Sequence, residues 1–191
     1  MTSDQLQQDL DYVASAVRRN DRPAGVPAIF FLWAAIVLVG YALPDFAPHA
    51  TGAYWSVAGI GGGLLSWWLG VRANRQNGIQ DHDEGRRYGL HWAIGGLAFV
   101  LTGLPMMVGR VPPGQGGVNF LLMAGVLYAL AGVHLERRIL SPGLLMFAAY
   151  VVLTLFDPPY AWTTTGVLIA LALVWSGLSA RKALRARAGA V

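Results

Sequence analysis

From residue 27 onward the chain is a series of long apolar runs separated by short polar or proline-containing stretches. A bilayer core needs about 20 apolar residues per helix, within a range of about 17–25. Six runs approach or meet that length: Pro27–Leu43, Gly52–Val71, Tyr88–Val108, Gly117–Leu135, Pro142–Phe156 and Tyr160–Ala180. The first is followed by Pro44-Asp45 and the fifth by Asp157-Pro158-Pro159, both read as helix breakers. The fifth run is the shortest and barely crosses at 1.5 Å per residue. The pattern predicts an all-α bundle of six transmembrane helices over residues 23–180, followed by a basic tail, 181–191.

Residues 1–22 follow a different pattern. Leu6, Leu10, Val13 and Val17 recur at helical spacing on one face, and Thr2-x-x-Gln5 fits a capping box. Asp4, Asp9 and Asp11 lie early and Arg18-Arg19 late, an order that suits the helix dipole. Asn20-Asp21-Arg22-Pro23 ends the segment. Helices that lie on membranes usually carry basic residues along their polar face, whereas this one is acidic and glutamine-rich. The apolar stripe is therefore read as a docking face for protein: the bundle itself, a second subunit or a cytoplasmic partner.

Composition confirms the class. Of 191 residues 55% are apolar and 13% charged, against norms of about 45–50% and about 25%. These values exclude a soluble enzyme, a nucleic-acid-binding module and a disordered chain. The sequence has no cysteine, so thiolate metal sites, disulfides and cysteine nucleophiles are excluded.

The formal charge of +4 is concentrated at span ends. With the N-terminus inside, thirteen of the fourteen basic residues fall on the cytoplasmic side and only Arg110 falls outside. That asymmetry predicts both termini in the cytoplasm. The N-terminus lacks the basic, apolar and small-residue regions of a signal peptide. Lys182 is the sole lysine, a bias that fits a GC-rich bacterial genome and hence a multi-pass protein of the bacterial cytoplasmic membrane.

Each odd span ends near proline, and each even span ends in glycine followed by basic residues. This pattern permits three related hairpins with quasi-threefold packing, although such endings are also ordinary for any span. Gly62, Ser66 and Gly70 recur every four residues in the second span, with Gly59 and Gly63 beside them. Small-residue faces let helices approach closely in lipid, so these five are predicted packing positions, within the monomer or in a homo-oligomer.

Candidate chemistry is sparse. No Asp, Glu, Lys or Arg lies near the middle of any span, which weighs against proton-coupled transport or a charged ion filter. Gly-x-Ser-x-Gly, His-Glu-x-x-His, Walker and dinucleotide motifs are absent. His91 and His134 both fall at inner span ends. They are either interfacial hydrogen-bonding residues or a pair able to ligate haem b. Trp33, Trp67, Trp92 and Trp175 lie in the inner halves of their spans. They form an aromatic belt at headgroup depth or line a pocket around His91 for a lipid or apolar ligand. Asp45, His49 and Asp157 on the outer side form solvated loop positions or a small pH-sensitive cluster. The sequence thus favours a non-enzymatic accessory or sensory protein that engages a partner through its cytoplasmic face. The alternative is a carrier or binding protein for an apolar or uncharged ligand, haem included. No catalytic residue or metal set emerges, and no nucleic-acid partner is expected.

Overall fold

A computed structural model describes residues 25–77, 82–156 and 158–188, together with Gln5 and Gln7. The described residues form six long helices and contain no strand. They are α1 (Pro27–Phe46), α2 (Pro48–Asn77), α3 (His82–Met107), α4 (Pro113–His134), α5 (Leu140–Leu155) and α6 (Ala161–Ala188), with a 3-10 turn at Arg137–Ile139 before α5. Among the described residues five segments are long and apolar enough to cross a membrane: Pro27–Phe46, Gly85–Met107, Pro113–His134, Arg137–Leu155 and Ala161–Ala186. This is a multi-pass helical membrane bundle. The fifth apolar run is extended to spanning length by the 3-10 turn that precedes α5. Helix α2 is long enough, but glycine, serine and tryptophan dilute its apolar character, and it is not among the five.

One expected boundary moves: Pro44 lies inside α1 and does not end it, while Pro105 lies inside α3 as it does inside the third predicted span. Each sits in the last turn, where a missing N–H removes a single bond and no helix follows to be kinked. Ala47 N–H then closes α1 on the Leu43 carbonyl at 2.7 Å. Past the predicted end of the sixth span, α6 continues through the basic stretch to Ala188.

The helices pack in the order α2, α1, α6, α5, α4, α3. Each sequential pair α1/α2, α3/α4 and α5/α6 packs together, and α1/α6 and α4/α5 are the broadest contacts. Quasi-threefold hairpin packing would also seat α2 on α3. Among the described residues the other two hairpin-to-hairpin contacts, α4/α5 and α1/α6, are present and this one is not. The core comes from the other four helices: Phe30, Val37 and Tyr41 of α1, Leu121 of α4, Met146 and Leu153 of α5, and Ile169 and Leu173 of α6.

Burial in lipid brings little hydrophobic gain, because lipid tails are as apolar as leucine. Close contact between backbones matters instead. Glycines supply that approach. A Cβ on Gly132 would stand 2.5 Å from the Leu140 backbone, and one on Gly143 would stand 2.5 Å from Ala129 N. Gly166 and Gly177 of α6 likewise admit Tyr41 and the Phe30–Phe31 pair of α1.

Candidate functional site: the arginine-rich end

Alternation of the helices brings the end of α2, the start of α3, the α4–α5 turn and the end of α6 to one side of the bundle. Arg72, Arg75, Arg86, Arg87, Arg137, Arg181, Lys182 and Arg185 are exposed there. Arg72 lies over the Trp68 ring, 5.3 Å from its centroid, a cation–π arrangement. At this end Glu136 is the one acid with a described side chain, and it is 5% exposed. The side chains of Asp83 and Glu84, and the whole of Asp81, lie outside the described residues.

Glu136 is committed internally. After α4 ends at His134 the chain becomes extended at Glu136 (φ −142°, ψ 109°), and this turns the carboxylate inward. Arg138 donates to it at 3.2 Å and the backbone N–H of Gly25 donates as well. A side chain at position 25 would collide with that carboxylate, which gives Gly25 its reason. Desolvation raises the Glu136 pKa, and Arg138 and the Gly25 N–H oppose the rise. The Arg138 carbonyl accepts Ser176 Oγ–H at 2.9 Å, so the same turn also grips α6. One short turn therefore ties together the entry to α1, the α4–α5 hairpin and α6.

The sequence-predicted residues distribute as follows. His91 is half-buried; its Nε2–H donates to the Leu127 carbonyl of α4 at 3.1 Å, and its ring meets Trp92 edge-on at 5.2 Å. His134 is exposed at the end of α4. It lies seven residues beyond Leu127, about 10 Å further along α4. Among the described residues no group of three His, Cys, Asp or Glu side chains is placed to hold a metal.

The four tryptophans have different surroundings. Trp33 donates Nε1–H to Ser66 Oγ at 2.9 Å, and Trp92 packs edge-on against Tyr128. Trp67 and Trp175 point outward, 71% and 72% exposed. Of the five packing positions, Gly62 faces Trp33 and Ile36 of α1, and Ser66 bonds Trp33. Gly59, Gly63 and Gly70 face open space. Leu6, Leu10, Val13 and Val17 lie outside the described residues, as does Asp157.

At the opposite end, Asp45 is part of a helix cap and is not grouped with His49, which is exposed. Its Oδ2 accepts the backbone N–H of Thr163 at 2.7 Å and the Thr163 hydroxyl at 2.5 Å. An acid at the first turn of α6 complements the positive end of that helix. Tyr41 sits between Trp55 of α2 and Trp162 of α6, with centroids 5.7 and 5.9 Å away. Gly40 makes room for Trp55, and the Trp162 ring lies against Gly117. Sequence reasoning missed Glu136, Ser176 and this aromatic cluster as structural centres. The only local signal was an acid enclosed in a very short connection between two spans.

Several hydroxyls along the helices bond to nearby carbonyls. Thr102 and Ser56 bond the carbonyls four residues earlier, and Tyr54 bonds the Ile36 carbonyl of α1. A comparison with protein-family models finds no match, and comparisons with curated proteins and with solved structures find no significant one.

Proposed function

We propose that this chain is a non-enzymatic accessory or sensory protein of the bacterial cytoplasmic membrane. In this reading it has six spans and both termini inside, and it engages a partner through the arginine-rich end. The observation that supports this reading is the unequal fate of charge at that end. Eight cations from four helix ends stand exposed, whereas the acid with a described side chain is buried and consumed by Arg138 and Gly25. An exposed surface of one sign attracts a partner of the other sign and speeds its encounter. Trp33, Tyr54 and Thr102 bond within or between helices, an arrangement suited to holding a shape.

A photocrosslinking amino acid at Arg137 or Leu10, in native membranes, tests this directly. One stoichiometric protein adduct from both positions, absent when the crosslinker is at His49, is the expected result. Adducts to lipid alone, or equal capture from His49, would overturn the reading.

A further inference from the structure

The last two turns of α6 run past the start of α1. Phe30 and Phe31 of α1 lie against Gly177, and the two helices are antiparallel. Stepping three residues back along α1 from Phe30 to its start at Pro27 corresponds to three forward along α6, so α1 begins level with about Ala180 and α6 continues beyond it. The N-terminal segment thus joins the bundle, at Gly25, at the end where Arg181, Lys182 and Arg185 of α6 are exposed. No acid follows Asp157 in the chain, so α6 brings no counter-charge of its own. Within the bundle Glu136 already has its partners.

The departing segment carries the complementary charge. Residues 2–17 contain Asp4, Asp9 and Asp11 and no basic residue. As a helix, Asp4 and Asp11 are seven residues apart and share a face. That face lies opposite the stripe of Leu6, Leu10, Val13 and Val17. Seven residues span about 10 Å and the four from Arg181 to Arg185 about 6 Å. The flexible arginine side chains can cover the difference.

We infer that the acidic face of residues 2–17 docks on the cationic end of α6 of the same chain, with its apolar stripe turned away and presented to the partner. This rests on the proposed function for what the stripe meets, but not for the docking itself. The two faces of the segment then have separate tasks: one fixes it to the bundle, the other recognises. The contact is a surface ion-pair array, so salt weakens it.

The absence of native cysteine permits clean double labelling. Nitroxides at Gln7→Cys and Ala186→Cys, in the full chain in zwitterionic nanodiscs without any partner, are read by pulsed electron–electron resonance. A single narrow distance distribution at low salt is expected. It should lose most of its narrow component when R181E, K182E and R185E are combined, and regain it when D4K, D9K and D11K are added. Unchanged thermal unfolding of the triple variant checks that the bundle is intact. A broad distribution at low salt, indifference to charge reversal, or failure of the swap to restore the distance would overturn the docking. So would loss of the narrow component on adding anionic lipid, which would assign the α6 end to the membrane surface. Because no partner is present, the result is independent of the crosslinking that tests the proposed function.

Discussion

Gly143→Ala puts a close backbone approach between α4 and α5 to the test. The added methyl would stand 2.5 Å from Ala129 N and 3.0 Å from both Ala129 Cα and the Tyr128 carbonyl carbon. Ordinary carbon contacts lie near 3.5–4.0 Å, so α4 and α5 must separate by about 1 Å. The obstacle is helical backbone, which has no rotamer to escape into. A gap of about 0.5–1 Å forfeits a quarter to a half of each facing contact, and overpacking of this kind costs about 1–3 kcal/mol. Alanine recovers up to about 1 kcal/mol through helix propensity. Gly63→Ala is the matched control, because it makes the same change on α2 with no atom within 4 Å of the new methyl. The propensity gain cancels between the two variants. What remains is the overpacking cost, about 2 kcal/mol, or roughly a thirtyfold difference in folding equilibrium constant. Reversible unfolding in mixed micelles, followed by the fluorescence of the seven tryptophans, reads that difference. Equal midpoints for the two variants would refute the packing argument for the α4–α5 hairpin.

Four further outcomes follow from individual contacts. A double-mutant cycle on Trp33→Phe and Ser66→Ala should give a coupling of about 0.5–1 kcal/mol in the same unfolding assay, and zero coupling would dismiss the 2.9 Å bond. Asp45→Ala should destabilise by about 1–2 kcal/mol through loss of the α6 cap, and Asp45→Asn, which keeps an acceptor, by clearly less; equal losses would count against capping. For Glu136 the folded-state pKa is raised above the ordinary 4.5, so stability is lost as pH climbs from about 4.5 through the raised value and is level beyond it. The advantage of wild type over Glu136→Gln should therefore shrink with rising pH across that window, and a pH-independent difference would sink the claim. Reporter fusions after Gly114 should report the outside and fusions after Gln76 and Val191 the inside; the reverse pattern would invert the assignment of the arginine-rich end to the cytoplasm.

The helices themselves were legible, because span length and charge at span ends are local properties. The faces on which they meet were not, and α2 shows why. Gly59 and Gly63 have the spacing of a packing motif, as do Gly62 and Ser66. Neighbouring positions differ by about 100° around a helix, so Gly62 meets α1 and Gly63 meets nothing. The spacing is identical in both cases. What differs is the opposite residue, Trp33, whose Nε1–H has Ser66 as its partner, and no pattern within α2 contains that information. Glu136 illustrates the same point for charge. It stands beside Arg137 and Arg138 at a span end, yet it is buried, and Gly25, from the other end of the bundle sequence, is among the groups that meet it. The close backbone contact of Gly143 on Ala129 involves a glycine with no small-residue repeat around it to attract notice. A glycine stripe thus records where close approach is permitted, whereas the residue across the interface decides whether it occurs.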